Sequence, residues 1–231
     1  MQTDSPLLGK GLLTPIQKSF LSAFSHTADQ EQFYLTGGTA LAEFYLGHRY
    51  SFDLDFFTSI EGLILPVSYE IEKLGSRSDF DVSVTRRFVT YVELLVEQDG
   101  ESLRVDLALD SPYRFAPAVQ SGYGVYINDY KDLRVDKLLA YYGRAEPRDA
   151  MDLYFILQQE PLDPLLQQAK QKDAGFDLYW FAVALNRCQS FPDELERWPV
   201  KMLKPVNPIR VKAEFSKLAE EILSGLTSIQ S

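Results

Sequence analysis

The alternation of apolar and polar positions separates a strand-rich first part of the chain from a helical second part. Alternation with a period of two residues is typical of strands that bury one face. It predicts five strands, over residues 52–57, 80–84, 88–96, 103–109 and 123–127. The sequence Gln98-Asp99-Gly100-Glu101 joins two of these strands and predicts a tight hairpin turn.

Apolar residues three and four positions apart predict helices in the remaining segments. These helices cover residues 14–28, 40–46, 63–74, 129–144, 147–154, 164–172, 178–187 and 209–226. The last five follow one another with no strand between them. We therefore predict an α+β fold, with an α/β core over residues 1–130 and a helical portion over residues 131–231.

Two aspartates interrupt the apolar segment 52–57. Side chains alternate along a strand, so Asp53 and Asp55 point to the same face and repel each other. A divalent cation relieves such repulsion, and carboxylate oxygens suit magnesium better than zinc. A solvated face on an edge strand is the alternative. A calcium loop is the weaker option, because the apolar context lacks further oxygen ligands.

A glycine turn precedes this strand. Residues Thr36-Gly37-Gly38-Thr39 follow an apolar segment and precede the helix predicted over residues 40–46. Backbone N–H groups at the start of a helix favour phosphate. The alternative is an ordinary turn in which Thr39 caps the helix. A phosphate-binding turn followed by paired carboxylates is a more specific signal than either part alone.

A third carboxylate lies in the strand predicted over residues 103–109. Its odd positions are apolar, so Asp106 shares the opposite face with Arg104. Aspartate is unfavourable inside a strand, which favours a functional role. A solvent-facing aspartate is the alternative.

The glycine turn and the aspartate pair together resemble a known signature. The string GGTALAEFYLGHRYSFDLDFF, residues 37–57, is similar to the first motif of the AbiEii/AbiGii toxin family of nucleotidyltransferases. Its glycine turn and Asp-x-Asp pair look like the signature of the wider DNA polymerase β-type nucleotidyltransferase superfamily. The resemblance implies a polymerase β-like fold, which is a mixed sheet flanked by helices. It also implies a third metal carboxylate on a neighbouring strand, matched here by Asp106.

Further motif residues follow from the same resemblance. Lys137 opens the string Lys-Leu-x-Ala, where the family places a lysine that neutralises triphosphate charge. Asp152 belongs to Arg-Asp-x-x-Asp-Leu-Tyr, and is expected to position Lys137 or the acceptor. Asp149 shares its helix face, but the positive end of the helix dipole is enough to explain it. Arg49 and Ser51 are expected beside the nucleotide. The complete set of expected nucleotide-binding residues is Gly37, Gly38, Thr39, Arg49, Ser51 and Lys137.

The activity implied by the resemblance is transfer of a nucleoside monophosphate from an NTP to an acceptor. Magnesium, or manganese, would be held by Asp53, Asp55 and Asp106, and the expected acceptor is RNA, such as a tRNA end. Small-molecule and protein acceptors remain open. Such a toxin would have a cognate antitoxin as its partner. A non-catalytic nucleotide-binding regulatory module is the alternative function.

Composition restricts these possibilities only slightly. The formal charge of −10 opposes non-specific coating of nucleic acid, although a local basic patch could still bind RNA. One cysteine and two histidines argue against an internal disulfide and a zinc site. No run of eighteen apolar residues occurs, and residues 1–13 lack the features of a signal peptide. We expect a cytoplasmic protein with no membrane partner.

Overall fold

A computed structural model describes residues 5–75 and 79–229, apart from the side chains of residues 228 and 229. The chain divides into two compact units, Met1–Tyr130 and Lys131–Ser231. The expectation about residues 1–13 falls partly on residues 1–4, which lie outside the described residues.

The first unit is built on one mixed sheet. Its strands are β1 (Tyr34–Thr36), β2 (Leu54–Thr58), β3 (Asp81–Phe88), β4 (Tyr91–Gln98), β5 (Glu101–Leu109), β6 (Val119–Gln120) and β7 (Tyr126–Ile127). They lie in the order β3-β4-β5-β2-β1-β7-β6. The β2–β5 and β1–β7 pairs are parallel, and the other neighbouring pairs are antiparallel. This architecture confirms the predicted α+β fold with a mixed sheet.

Helices of the first unit are α1 (Pro15–Phe24), α2 (Gly37–Ala40) and α3 (Ile64–Gly75). Helix α1 begins with a capping box, in which Thr14 and Gln17 satisfy each other's backbone N–H groups. It ends four residues before the predicted boundary. Its buried Phe24 packs against Phe56 of β2, with ring centroids 4.4 Å apart. Leu54 and Phe56 are fully buried on this face of the sheet, so the aspartate face is the opposite one.

The glycine turn leads directly into an unusual helix. Gly37 has a φ of 69°, a left-handed conformation that glycine adopts without steric cost. Helix α2 continues as a π-helix over Leu41–Leu46, which ends at Gly47 with a φ of 59°. The helix predicted over residues 40–46 is therefore present, but it is mainly a π-helix. Single-turn π segments often occur beside functional sites.

Several strand boundaries differ from the predicted ones. Strand β3 extends to Phe88 and β4 begins only at Tyr91, so the predicted end at residue 84 and the predicted start at residue 88 are both wrong. The strand predicted over 123–127 consists only of β7, and neither β1 nor β6 was predicted. The hairpin turn after β4 is confirmed, because Asp99 and Gly100 have φ values of 52° and 80°. Positive φ at both central residues is the geometry that a two-residue hairpin favours.

The second unit contains the helical part of the chain. Its helices are α4 (Tyr130–Arg144), α5 (Pro147–Leu157), α6 (Leu162–Lys172), α7 (Leu178–Arg187) and α8 (Pro208–Ile229). Each one confirms a helix predicted from spacing, with ends that differ by up to three residues. Within the described part of the chain, the structure has no helix with both the length and the hydropathy needed to span a membrane.

Candidate active site

Carboxylates line up across adjacent strands of the first unit. In the parallel β2–β5 ladder, Asp55 pairs with Asp106. In the antiparallel β4–β5 ladder, Asp106 pairs with Glu93. Directly paired side chains project from the same face. The register therefore places three acidic side chains in one row, on the face opposite the one that packs against α1.

Asp53 lies immediately before this row. Strand β2 begins at Leu54, so the prediction of a strand starting at residue 52 is wrong by two residues. Arg104 of β5 nevertheless reaches Asp53, with its Nη2 2.9 Å from Asp53 Oδ2. Arg104 is two residues before Asp106 on the same strand and therefore on the same face. Its Nε lies 3.6 Å from Asp106 Oδ1.

Asp106 is the most enclosed of the carboxylates in contact with Arg104. Its side chain is 13% exposed, against 36% for Asp53. The pKa of Asp106 is raised to about 6, chiefly by burial and also by nearby Asp55 and Glu93, against the opposing effects of Arg104 and a hydrogen bond with Tyr91. Asp106 Oδ1 is buried and has no hydrogen-bond partner among the described residues. An oxygen of this kind is available to a ligand or a proton.

Glu93 was missed by the sequence analysis. Its two oxygens accept hydrogen bonds from Thr85 Oγ1 at 2.5 Å and from Tyr91 Oη at 3.2 Å. The Thr85 bond is the main reason that the pKa of Glu93 is lowered. The signal was present, because Glu93 is the one charged residue in the segment Tyr91–Val96. Only the register shows that this charge stands beside Asp106.

The glycine turn lies against the carboxylate row. A Cβ atom added to Gly37 would lie 2.0 Å from Asp55 Oδ2. At Gly38 it would lie 2.5 Å from Arg49 Nη2 and 2.7 Å from Ser51 Oγ. Absence of side chains at both positions thus allows the turn to approach these three polar groups. The structure brings the glycine turn together with Arg49, Ser51 and Asp55, and their role in nucleotide binding stays a prediction.

Thr39 fixes the turn to the aspartate segment. Its hydroxyl donates a hydrogen bond of 2.5 Å to the backbone carbonyl of Asp53. The alternative in which Thr39 caps the helix is therefore wrong, because Thr39 lies inside α2 and the cap position belongs to Thr36. Gln17 of α1 further anchors the segment through a 3.1 Å hydrogen bond to the carbonyl of Ser51. These bonds hold the chain on both sides of Phe52.

The remaining motif residues, Lys137, Asp149 and Asp152, form two ion pairs in the second unit. Lys137 Nζ lies 2.7 Å from Asp152 Oδ2, and the two side chains are 7% and 0% exposed. Asp149 is equally buried and forms two hydrogen bonds with Arg144, of 2.6 and 2.8 Å. A buried acid needs such a partner, because an isolated buried charge is very unfavourable. Asp152 thus holds Lys137, and Asp149 holds Arg144.

The donor set of the first unit suits a hard divalent cation. Asp55 and Asp106 are paired across two strands, and Asp106 Oδ1 is buried without a hydrogen bond. Asp53 is engaged by Arg104, so it becomes a ligand only if that contact opens. In the described residues as they stand, no group of three or more His, Cys, Asp or Glu side chains is arranged to hold a metal ion. The fit is therefore to Asp55 and Asp106 first, and to Asp53 after release of Arg104.

Comparison with known proteins gives the same picture of the fold. A candidate nucleotidyltransferase from H. pylori has a similar structure, with a TM-score of 0.57, 16% identity and coverage of 92% of this chain and 93% of that one. JHP933 from Helicobacter pylori gives a TM-score of 0.52 at 17% identity, covering 93% of this chain and 94% of that one. At this identity the likeness concerns the fold alone.

Sequence comparison extends this likeness to a family. An uncharacterized protein of Aquifex aeolicus is 29% identical over 168 residues, which are 71% of this chain and 76% of that protein. The model of the family described as nucleotidyl transferase AbiEii toxin, type IV toxin–antitoxin system, matches residues 19–227. That match includes the glycine turn, the carboxylate row and both buried ion pairs. The chain therefore belongs to the AbiEii family of nucleotidyltransferase toxins.

Proposed function

We propose that this protein transfers a nucleoside monophosphate from an NTP to an acceptor hydroxyl, using a divalent cation held by Asp53, Asp55 and Asp106. The register of Asp55 with Asp106 is the observation that carries the proposal. It brings two acidic groups that are 51 positions apart in the chain onto one face of the sheet. Family membership supports the same class of reaction.

Phosphate groups of the nucleotide would lie at the glycine turn. Gly37 and Gly38 carry no side chain, so a polyphosphate can approach the backbone N–H groups that begin α2. Arg49 and Ser51 lie against the same turn and offer a guanidinium and a hydroxyl. Thr39 holds the turn beside the aspartates through its hydrogen bond to Asp53. Nucleotide and carboxylates would thus be adjacent.

Lys137 is the proposed cation for the triphosphate. Its ammonium group is kept in one position by Asp152, which is fully buried. A lysine held in this manner loses little conformational freedom when it binds phosphate. Asp152 therefore acts as a positioning residue in this proposal. Asp149 has a structural role, because Arg144 satisfies both of its oxygens.

The reaction is a single displacement at the α-phosphorus. The acceptor oxygen forms a bond to the α-phosphorus, the bond to the β-phosphate oxygen breaks, and pyrophosphate leaves. The hydroxyl proton passes to the carboxylate of Asp106, whose Oδ1 has no hydrogen-bond donor. When bound, magnesium or manganese supplies positive charge beside the α-phosphate and the leaving pyrophosphate. The protein orients the reactants and forms no covalent intermediate.

RNA is the proposed acceptor, with a tRNA end as the first candidate, and the biological role is that of a toxin counteracted by an antitoxin. The family description supports a toxin–antitoxin system. The net charge of −10 favours an acceptor recognised at a local site over one bound along a broad surface. Expression of the wild-type chain is expected to arrest growth.

The test is incubation of the protein with each α-labelled NTP, magnesium and total cellular RNA or protein. Label should enter an RNA band with one NTP in preference to the others. Asp53→Asn should abolish the transfer while leaving the thermal unfolding curve unchanged. Label that enters protein instead would refute the RNA acceptor. Full activity of Asp53→Asn would refute the mechanism, and magnesium-dependent NTP binding without transfer would favour a regulatory nucleotide-binding module.

A further inference from the structure

Arg104 lies beside the carboxylate row, between Asp53 and Asp106. Its guanidinium contacts Asp53 through Nη2 at 2.9 Å and approaches Asp106 through Nε at 3.6 Å. Burial lowers its pKa, but Asp106, Asp53, Asp55 and Glu93 together raise it above its ordinary value. One cation thus counters the charge of several acids, at the place where a divalent ion is proposed to bind.

The contacts of Arg104 are incomplete. Its Nε and Asp106 Oδ1 are both buried, and neither has a hydrogen-bond partner among the described residues. The separation of 3.6 Å between these atoms is too long for a good hydrogen bond. The side chains of Arg104 and Asp53 are 41% and 36% exposed, so water can reach their ion pair. An exposed pair of this kind exchanges partners at little cost in free energy.

We propose that Arg104 competes with the divalent cation for the same carboxylates. Its guanidinium contacts Asp53 and Asp106 when no nucleotide is bound, and it moves to the polyphosphate when a nucleotide binds. This inference rests on the proposed function and adds a role for a residue that the family signature does not explain. Arg104 is then a positioning residue for the metal carboxylates in the free protein. It becomes a nucleotide contact in the loaded one.

The proposal couples the binding of the cation to that of the nucleotide. A cation that binds alone must displace Arg104 and leave a guanidinium without its carboxylate partner. Phosphate oxygens accept two parallel hydrogen bonds from a guanidinium, so a bound triphosphate provides a replacement partner. Each ligand therefore increases the affinity for the other, by the same factor. Such coupling would keep the site from retaining cations in the absence of substrate.

A purely structural role for Arg104 predicts the opposite result. If the ion pair only ties β5 to the segment before β2, its loss lowers stability and loosens the carboxylates. Cation affinity would then stay constant or fall. If Arg104 is a competitor, its removal leaves the acids uncompensated and raises their affinity for a cation. The direction of the change in affinity therefore separates the two roles.

The experiment measures Mn²⁺ binding to the full chain after treatment with EDTA, by electron paramagnetic resonance or calorimetry. Titrations are made with and without an NTP analogue that has a methylene bridge between its α- and β-phosphorus atoms. Wild type is compared with Arg104→Gln and with Arg86→Gln. Arg86 is a matched control, because it is exposed on β3 and pairs in register with Glu93. Both variants remove one positive charge from the same sheet.

Arg104→Gln should bind Mn²⁺ about tenfold more tightly than wild type without nucleotide, and the analogue should increase its affinity for Mn²⁺ far less. Arg86→Gln should stay within about twofold of wild type. Equal or weaker Mn²⁺ binding by Arg104→Gln would overturn the proposal. If that variant does not fold, Arg104→Met replaces it, because methionine also lacks the charge, and an affinity no higher than that of wild type would overturn the proposal.

Failure of the proposed function gives a different result. In that case Mn²⁺ binding is absent, or Asp55→Asn does not abolish it, both with and without the analogue. The proposed role of Arg104 is then overturned together with the proposed function. If Asp55→Asn abolishes binding but Arg104→Gln does not raise it, only the role of Arg104 is overturned.

Discussion

The two units of the chain treat buried and clustered charge in different ways. In the second unit, Asp152 and Asp149 are fully buried, and each forms an ion pair with a basic side chain, Lys137 and Arg144 respectively. In the first unit, several acids share Arg104, and the row remains partly open to solvent. These two buried acids of the second unit are balanced by a basic partner, whereas the first unit retains a local excess of negative charge around Arg104.

This difference separates charges that the fold needs from charges that it tolerates. A buried ion pair contributes little net stability, but removal of one partner is severe because the other charge remains buried. An excess of like charges is unfavourable in the free protein. Such an excess is expected where the active protein binds a cationic ligand that neutralises it.

The largest expected effect is on catalysis in the first unit. Asp106→Asn should lower nucleotidyl transfer by about 10³-fold, because it removes a cation ligand and the proton acceptor. Its thermal stability should be unchanged or higher, since one of the repelling charges is gone. Asp81→Asn is the matched control, an exposed aspartate on β3 of the same sheet, and should retain full transfer. Substantial transfer by Asp106→Asn would show that the negative charge of Asp106 is not needed for the reaction.

The next effect distinguishes stability from activity in the second unit. Lys137→Met should lower the free energy of unfolding by about 3 kcal/mol or more, because Asp152 remains as a buried charge. Adding Asp152→Ala should restore most of that loss, since neither charge then remains. Nucleotidyl transfer should be lost in both variants, because neither has the Lys137 ammonium group that is proposed to bind the triphosphate.

Denaturant unfolding and labelled transfer measure the two quantities on the same samples. An unfolding free energy of the double variant no better than that of Lys137→Met would mean that the two charges are not coupled. Full transfer by the double variant would show that Lys137 does not contact the nucleotide.

The third prediction uses two glycines with similar backbones. Gly37→Ala places a Cβ atom 2.0 Å from Asp55 Oδ2 and adds the cost of a left-handed conformation. Transfer should fall by about 10²-fold, because displacement of the carboxylate misplaces the reacting groups. Gly62→Ala is the control, since Gly62 has a φ of 84° and no atom within 4 Å of the added Cβ.

Both glycine variants should lose about 1 kcal/mol of stability or somewhat more from backbone strain. Only Gly37→Ala should also lose activity. Equal loss of transfer in the two variants would show that the turn acts through the fold and not through Asp55.

The smallest expected effect is a pH dependence in the first unit without metal. The folded-state pKa of Asp106 is about 6, above its ordinary value of 3.8. Below pH 3.8 the acid is neutral in both the folded and unfolded states, and its full favourable contribution to the free energy of unfolding is present. As the pH rises through 6 the folded protein must carry the charge, and the contribution is lost.

In EDTA, Asp106→Asn should therefore gain stability relative to wild type between pH 4 and pH 7. After allowance for solvent screening the gain is about 1 kcal/mol, or roughly 2–4 °C in Tm. Thermal unfolding at both pH values measures it. A difference in Tm that is the same at pH 4 and pH 7 would contradict the enclosed position of Asp106.

Local patterns predicted many elements because their causes are local. The capped helix α1, the Asp99-Gly100 turn and the five helices of the second unit follow from spacing, caps and turn residues. Boundaries failed where tertiary pairing decided them. Strand β3 continues past residue 84 because β4 pairs with it through a bulge, and the short β6 exists through its pairing with β7.

The sequence by itself determined the family, the α+β fold and the identity of the acidic and glycine residues at the candidate site, because these follow from short motifs and from periodicity. Only the tertiary structure decided that Asp106 stands beside Asp55, that Glu93 extends the row, and that Arg104 lies among them. Strand register between distant segments determines those contacts. Alternation along one strand indicates which face a side chain occupies, but not which neighbour it meets.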